Sequence, residues 1–158
     1  MSDYADHVVA VARTMVGPLA LCGWSMGGLV LTAAQEMQPH SVVLLEAGGP
    51  AEVQGRDPHV QLASGTFDRG RIRGIPAWHR RAARVTPCGA ERKRGISIPS
   101  LPCPSLVIAS ADSPDERGRS VADLYGSEFV EFAELRHFDL VQAAGPRQAV
   151  ADFLGVRL

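Results

Sequence analysis

Apolar residues recur along this chain at two spacings, one typical of amphipathic helices and one typical of buried strands. The helical spacing predicts helices over residues 4–15, 27–37 and 116–125 and from Pro146 to Gly155. Short runs, most of them apolar throughout, predict strands over residues 19–22, 41–46, 104–110 and 128–135. Because these strands alternate with helices, we expect an α/β fold with a mostly parallel sheet and helices on both faces.

Between about residues 48 and 103 this periodicity is lost, and Pro, Gly and Arg residues become frequent. We interpret this segment as an insertion or lid within a single domain over residues 1–158. Its basic stretch at 69–95 fits three alternatives: a solvated arginine-rich surface, a patch for an anionic group such as the phosphopantetheine of an acyl carrier, or a nucleic-acid surface. Aromatic residues that could stack on bases are limited there to Trp78, so we expect no nucleic-acid partner.

Composition narrows the classes of function further. A chain of 158 residues can bury one sizeable core, and its formal net charge of -1 gives no overall attraction to nucleic acid or anionic membrane. The 3 cysteines lack paired spacing, so we expect reduced thiols rather than disulfides or a zinc site. The N-terminal stretch has acidic residues instead of a basic leader, and no apolar run approaches the ~20 residues of a membrane span. We therefore expect a soluble, cytoplasmic protein with no membrane partner.

A candidate nucleophile lies between a predicted strand and a predicted helix, in the stretch GWSMG at residues 23–27. A serine hydroxyl is a weak nucleophile unless a base removes its proton and the backbone exposes it. The flanking glycines permit a tight turn that would expose Ser25, and the following helix directs its positive end towards developing negative charge. The backbone amide of Met26 is then the expected oxyanion donor. The alternative is a serine in a glycine-rich loop that has no chemical role.

Three stretches resemble the α/β-hydrolase superfamily: GWSMGG at 23–28 resembles its nucleophile elbow, PSLVIASADSPD at 104–115 its acid loop, and LRHFDLV at 135–141 its histidine loop. The order of serine, acid and histidine along the chain is also that of the family. The resemblance implies that Ser25 is the nucleophile and His137 the general base. It also implies that Trp24 lines the acyl pocket, with packing against the sheet as the alternative.

The acid of the triad has three candidates. The family usually carries its acid shortly after a strand such as 104–110, and Asp112 and Asp115 both lie in that loop. In the most direct register with the family pattern the acid position falls on Ser113, which is a departure. Some family members carry the acid after the preceding strand instead, where this chain has Glu46. We predict Asp112 as the acid, with Asp115 and Glu46 as alternatives.

The function that the resemblance implies is that of a serine hydrolase of esterase or thioesterase type. Such an enzyme forms an acyl-enzyme on Ser25, takes a small-molecule acyl ester or thioester as its substrate, and uses neither a cofactor nor a metal. The alternative is a non-catalytic α/β-hydrolase-like binding or interaction protein, or a fragment of a split hydrolase.

Only one predicted helix and one predicted strand precede Ser25, whereas the family builds further strands and an oxyanion loop before its elbow. We therefore expect the C-terminal half of such a fold. Because the loss of one oxyanion donor costs about 10²–10³ in turnover, we also expect a slow enzyme. The strand at 18–22 would be an uncharged sheet edge, which a homo-oligomer or a partner chain is expected to cover.

Overall fold

The computed structural model of the chain describes residues 2–47, 49–50, 52–53, 97–110 and 117–156. Most of the predicted insertion, including its basic stretch, lies outside these residues. Asp112 and Asp115, two of the three candidate acids, lie outside them as well.

Helices and strands alternate through the described residues. In chain order they are α1 (Ser2–Ala12), β1 (Ala20–Trp24), α2 (Val30–Met37), β2 (Ser41–Leu45), β3 (Ser105–Ser110), α3 (Arg117–Tyr125), β4 (Glu128–Phe132) and α4 (Ala144–Leu154). Two short 3₁₀ helices lie at Ser25–Leu29, directly before α2, and at Asp139–Val141. None of the helices in this part of the chain is long and apolar enough to cross a bilayer.

The strands form one parallel sheet in the order β1-β2-β3-β4. Every residue of β2 and β3 is buried, as their continuous apolar runs predict. Because all neighbours are parallel, the four strands end at the same edge of the sheet. The predicted α/β fold is confirmed, and in such folds ligands bind outside the carboxyl ends of the strands.

Helices cover both faces of the sheet, as predicted. On one face, Val9 of α1, Leu31 of α2 and Val121 of α3 belong to the cluster that covers the sheet. On the other face, α4 packs through residues such as Phe153 against a second cluster. Alternate residues of β2 serve the two clusters, because successive side chains of a strand point to opposite faces. Leu140, in the second 3₁₀ helix, is fully buried in the second cluster and anchors the chain that follows β4.

Several element ends differ from the predicted ones. The first helix ends at Ala12, because the next amides form tighter bonds from Thr14 to Val11 and from Met15 to Ala12. The strand predicted to reach residue 135 ends at Phe132, where the chain turns. The last helix begins at Ala144 rather than at Pro146, because the first turn of a helix tolerates a residue without an N–H. It is capped by Gly155 with a φ of 66°, as predicted.

The two outer strands have different exposed side chains. Of the described strands, only β2 pairs with β1, and Ala20 and Cys22 of β1 are exposed. In the same part of the chain β4 pairs only with β3 and exposes Glu128 and Glu131, charges of the kind that discourage pairing with another strand. The uncharged edge expected around residues 18–22 is therefore present among the described residues.

Candidate active site

Ser25 lies at an abrupt junction between β1 and the first 3₁₀ helix. Its neighbour Trp24 is extended, with a φ of -109° and a ψ of 135°. Ser25 itself has a φ of 54°, in the left-handed region that costs a non-glycine residue roughly 1–3 kcal/mol. The strained strand-to-helix turn expected at this serine is therefore present.

Gly23 makes this junction sterically possible. A Cβ at this position would lie 2.2 Å from the carbonyl oxygen of Gly27 and 2.7 Å from Cγ2 of Val30. The start of the helix can therefore fold back onto the end of β1 only if residue 23 lacks a side chain. At Gly27, in contrast, an added Cβ would meet nothing within 4 Å, so the absence of a side chain is needed at only one of the two glycines.

Glu46 and His137 form the central contact of the site. Nδ1 of His137 donates to Oε2 of Glu46 at 2.7 Å, and the two side chains are 28% and 9% exposed. Glu46 is the first residue after β2 and has a φ of 41°. Its amide donates to the carbonyl of Ile108 at 2.7 Å, which fixes its backbone to β3. His137 lies in the loop between β4 and the second 3₁₀ helix, as expected from the sequence.

Ser110 also binds the carboxylate of Glu46. This last residue of β3 is 2% exposed, and its hydroxyl donates to Oε2 at 2.8 Å. One carboxylate oxygen therefore accepts hydrogen bonds from both Ser110 and His137. Oε1 of Glu46 is buried, and no group among the described residues donates to it. No sequence motif pointed to Ser110, although its place at the end of a predicted buried strand is a signal for this edge of the sheet.

Trp24 contacts His137 in two ways. Its indole Nε1 donates to the backbone carbonyl of His137 at 3.0 Å. Its ring also stacks on the imidazole, with centroids 5.0 Å apart and an angle of 28° between the planes. Phe138 meets the edge of the same indole at 5.2 Å. A role of Trp24 in lining a substrate pocket stays a prediction.

The register of the sheet brings Ser25 beside Glu46. Trp24 is paired with Leu45, so the residues that follow them leave neighbouring strands at the same level. Neighbouring strands lie about 4.7–4.9 Å apart, which makes Ser25 and Glu46 adjacent along the carboxyl edge. The hydrogen bonds between described residues do not include one between Ser25 and His137. The pairing of these two residues as nucleophile and base stays a prediction.

The structure thus brings Glu46 and His137 into contact, and the register of the sheet places Ser25 on the strand next to that of Glu46. Asp112 and Asp115 lie outside the described residues, so the acid role predicted for either of them stays a prediction. Among the described residues, no group of His, Cys, Asp and Glu side chains could hold a metal ion.

Neither a protein-family model nor a curated protein was found to match this chain.

Proposed function

We propose that this protein is a serine hydrolase that cleaves an ester or thioester through an acyl-enzyme on Ser25. His137 is the general base, and Glu46 is the acid that orients it. The observation that carries the proposal is the hydrogen bond of 2.7 Å between His137 and Glu46, formed beside the strained turn at Ser25. The same arrangement supports a relationship to the α/β-hydrolase superfamily, in which the acid would follow the second strand of this sheet.

The hydrogen bond to Glu46 assigns different tasks to the two imidazole nitrogens. Because Nδ1 carries the proton donated to the carboxylate, Nε2 has the lone pair that can accept a proton. In the proposed reaction, Nε2 takes the proton of the Ser25 hydroxyl as Oγ bonds to the acyl carbon. The imidazolium then protonates the leaving oxygen or sulfur as its bond to the acyl carbon breaks. Water next attacks the acyl carbon while Nε2 takes its proton, and that proton returns to Oγ of Ser25 as the carboxylic acid leaves.

Stabilisation of the tetrahedral oxyanion is assigned to the backbone amide of Met26. This amide directly follows Ser25, in the first turn of the 3₁₀ helix that starts there. The amide after the nucleophile is also the one that a nucleophile elbow supplies. With this single assigned donor, we expect turnover about 10²–10³ below that of a site with two donors.

A covalent serine probe tests the proposal against the alternative of a non-catalytic binding protein. The protein is incubated with a fluorophosphonate, and the modified residue is located by mass spectrometry. We expect labelling of Ser25 in the wild type and in Ser100→Ala, which alters an exposed serine on the described surface, and none in Ser25→Ala. Absence of labelling in the folded wild type would contradict the enzyme and favour the binding protein.

The uncharged edge of β1 supports a proposal about partners. We propose that a second copy or a separate polypeptide covers this edge, where Ala20 and Cys22 are exposed. The apolar side chains Val11 and Met15, from the end of α1 and the turn after it, are exposed as well. Light scattering over a concentration series checks this: we expect an associated species, and a stable, folded monomer at micromolar concentration would contradict it.

A cytoplasmic location is also proposed. Cys22 and Cys103 are free thiols in the described structure, and reducing compartments maintain cysteines in this form.

A further inference from the structure

We propose that Trp24 is a positioning residue for His137, which it holds by the backbone and by the ring through two separate contacts. The catalytic consequence of this role rests on the proposed function. The positioning itself can be measured without any turnover.

The first contact anchors the backbone of the histidine loop. The indole N–H of Trp24 donates to the carbonyl of His137 at 3.0 Å and ties the loop after β4 to the end of β1. Several backbone hydrogen bonds of this loop are local, such as those from the amide of Arg136 to the Asp139 carboxylate at 2.9 Å and from the amide of Leu135 to Phe132 at 3.0 Å. The bond of the His137 side chain to Glu46 is long-range, like that of Trp24, but it holds the ring rather than the backbone. Local bonds shape a loop, whereas the bond from the Trp24 indole fixes the backbone of this loop relative to the end of β1, next to Ser25.

The second contact restrains the imidazole ring. A centroid distance of 5.0 Å with planes at 28° is an offset stack, and Phe138 approaches the imidazole edge-on at 5.4 Å and 81°. Rotation that tilts the imidazole out of its plane would break the stack with Trp24. The stack therefore restrains the plane of the ring, and the hydrogen bond to Glu46 selects the orientation in which Nδ1 faces the carboxylate.

The stack also has an electrostatic consequence during the proposed reaction. When His137 takes a proton, the positive imidazolium lies against the face of an indole, within the ~6 Å over which an aromatic face attracts a cation. The carboxylate of Glu46 meets the same imidazole in the plane of the ring, through Nδ1. Trp24 and Glu46 thus stabilise the charge from two directions.

This role differs from that of a pocket wall in what its loss would change. A residue that acts through His137 affects the proton-transfer step, so its removal lowers kcat and leaves KM nearly unchanged. A residue that only contacts the acyl group raises KM. The indole face that stacks on His137 is also not available to a substrate.

The experiment uses the full chain carrying Trp78→Phe, which leaves Trp24 as its only tryptophan because the sequence holds 2. In this background, Trp24→Phe removes the N–H donor but retains an aromatic face, and Trp24→Leu removes both. We record NMR spectra of the His137 ring protons and of the indole N–H, and kcat and KM for p-nitrophenyl butyrate.

We expect a slowly exchanging indole N–H and upfield-shifted ring protons of His137 in the parent. Trp24→Phe should keep much of the upfield shift, and Trp24→Leu should lose it. We expect kcat to fall about 10-fold in Trp24→Phe and up to about 10²-fold in Trp24→Leu at nearly constant KM, because small misplacements of a catalytic group have costs of this order.

Ring signals of His137 that are the same in all three proteins would overturn the proposal, as would a rise in KM at constant kcat. A freely exchanging indole N–H in the parent would also overturn it, even if Trp24→Leu does not fold. If the parent shows both NMR signatures, the positioning role is supported even where p-nitrophenyl butyrate is not cleaved. In that case the proposed function fails separately.

Discussion

The two ends of the sheet both contain residues in the left-handed region, but for different reasons. At the amino end, Gln38 has a φ of 49° directly after α2, and its amide donates to Ala34 at 3.1 Å, which is how a helix commonly terminates. At the carboxyl end, Ser25 and Glu46 have φ values of 54° and 41° directly after β1 and β2. Neither of these two residues ends a helix.

The surroundings of the two ends differ as well. A cleft of about 410 Å³ opens near the amino end, between residues that include Met15, Met37 and His40. It contains no paired acid and base among the described residues. At the carboxyl end, Glu46 and His137 are hydrogen-bonded, and Glu46 also accepts from Ser110. A positive φ in this protein therefore indicates a candidate site only where polar side chains from several strands converge on it.

The largest effect on activity is expected from Glu46→Gln. The neutral amide can pair with the wrong tautomer of His137, so kcat for p-nitrophenyl butyrate should fall by about 10⁴. Asp112→Asn and Asp115→Asn are the matched controls, since each removes one of the other candidate acids. A greater loss in either control than in Glu46→Gln would transfer the acid role to that aspartate.

A smaller effect is expected from Ser110→Ala. This variant removes one of the two donors to Oε2 of Glu46. Because a hydrogen bond to a charged group is stronger than one between neutral groups, we expect kcat to fall roughly 10-fold or more. Ser105→Ala is the control, because Ser105 is a buried serine at the other end of β3 that bonds to Ser127. Urea unfolding should show a loss of about 1 kcal/mol in both variants. Equal losses of activity in the two would show that Ser110 acts through stability alone.

The smallest effect is expected from Gln38→Gly at the amino end. Glycine adopts positive φ without steric cost, so the free energy of unfolding should rise by about 0.5–1 kcal/mol, measured in urea. The rate of fluorophosphonate labelling should stay as in the wild type. A change in the labelling rate would contradict the separation of the two ends.

Local sequence was enough to predict the elements and the tight turn at Ser25. This turn was predictable because a strand, a required Gly23 and a helix are consecutive in the chain. The position of His137 was predictable from its place between the last strand and the last helix.

The contacts of these residues were not predictable in the same way. The sequence has three candidate acids, Glu46 after β2 and Asp112 and Asp115 in the stretch after β3, and spacing along the chain does not tell which of them pairs with His137. The contact with Glu46 depends on its φ of 41° and on Ser110, which lies on another strand. The stacking of Trp24 on His137 likewise joins residues far apart in sequence, so a local pattern carried no signal for it.

The proposed function depends most on one contact, in which Glu46 holds the Nδ1 proton of His137. The most direct measurement is the NMR signal of this proton, which should lie far downfield. Labelling with ¹⁵N shows that the proton is bound to Nδ1 of the imidazole. We predict that the resonance is present in the wild type and in Asp112→Asn and is lost in Glu46→Gln. A resonance that persists in Glu46→Gln, or that disappears in Asp112→Asn, would contradict the assignment of Glu46 as the acid.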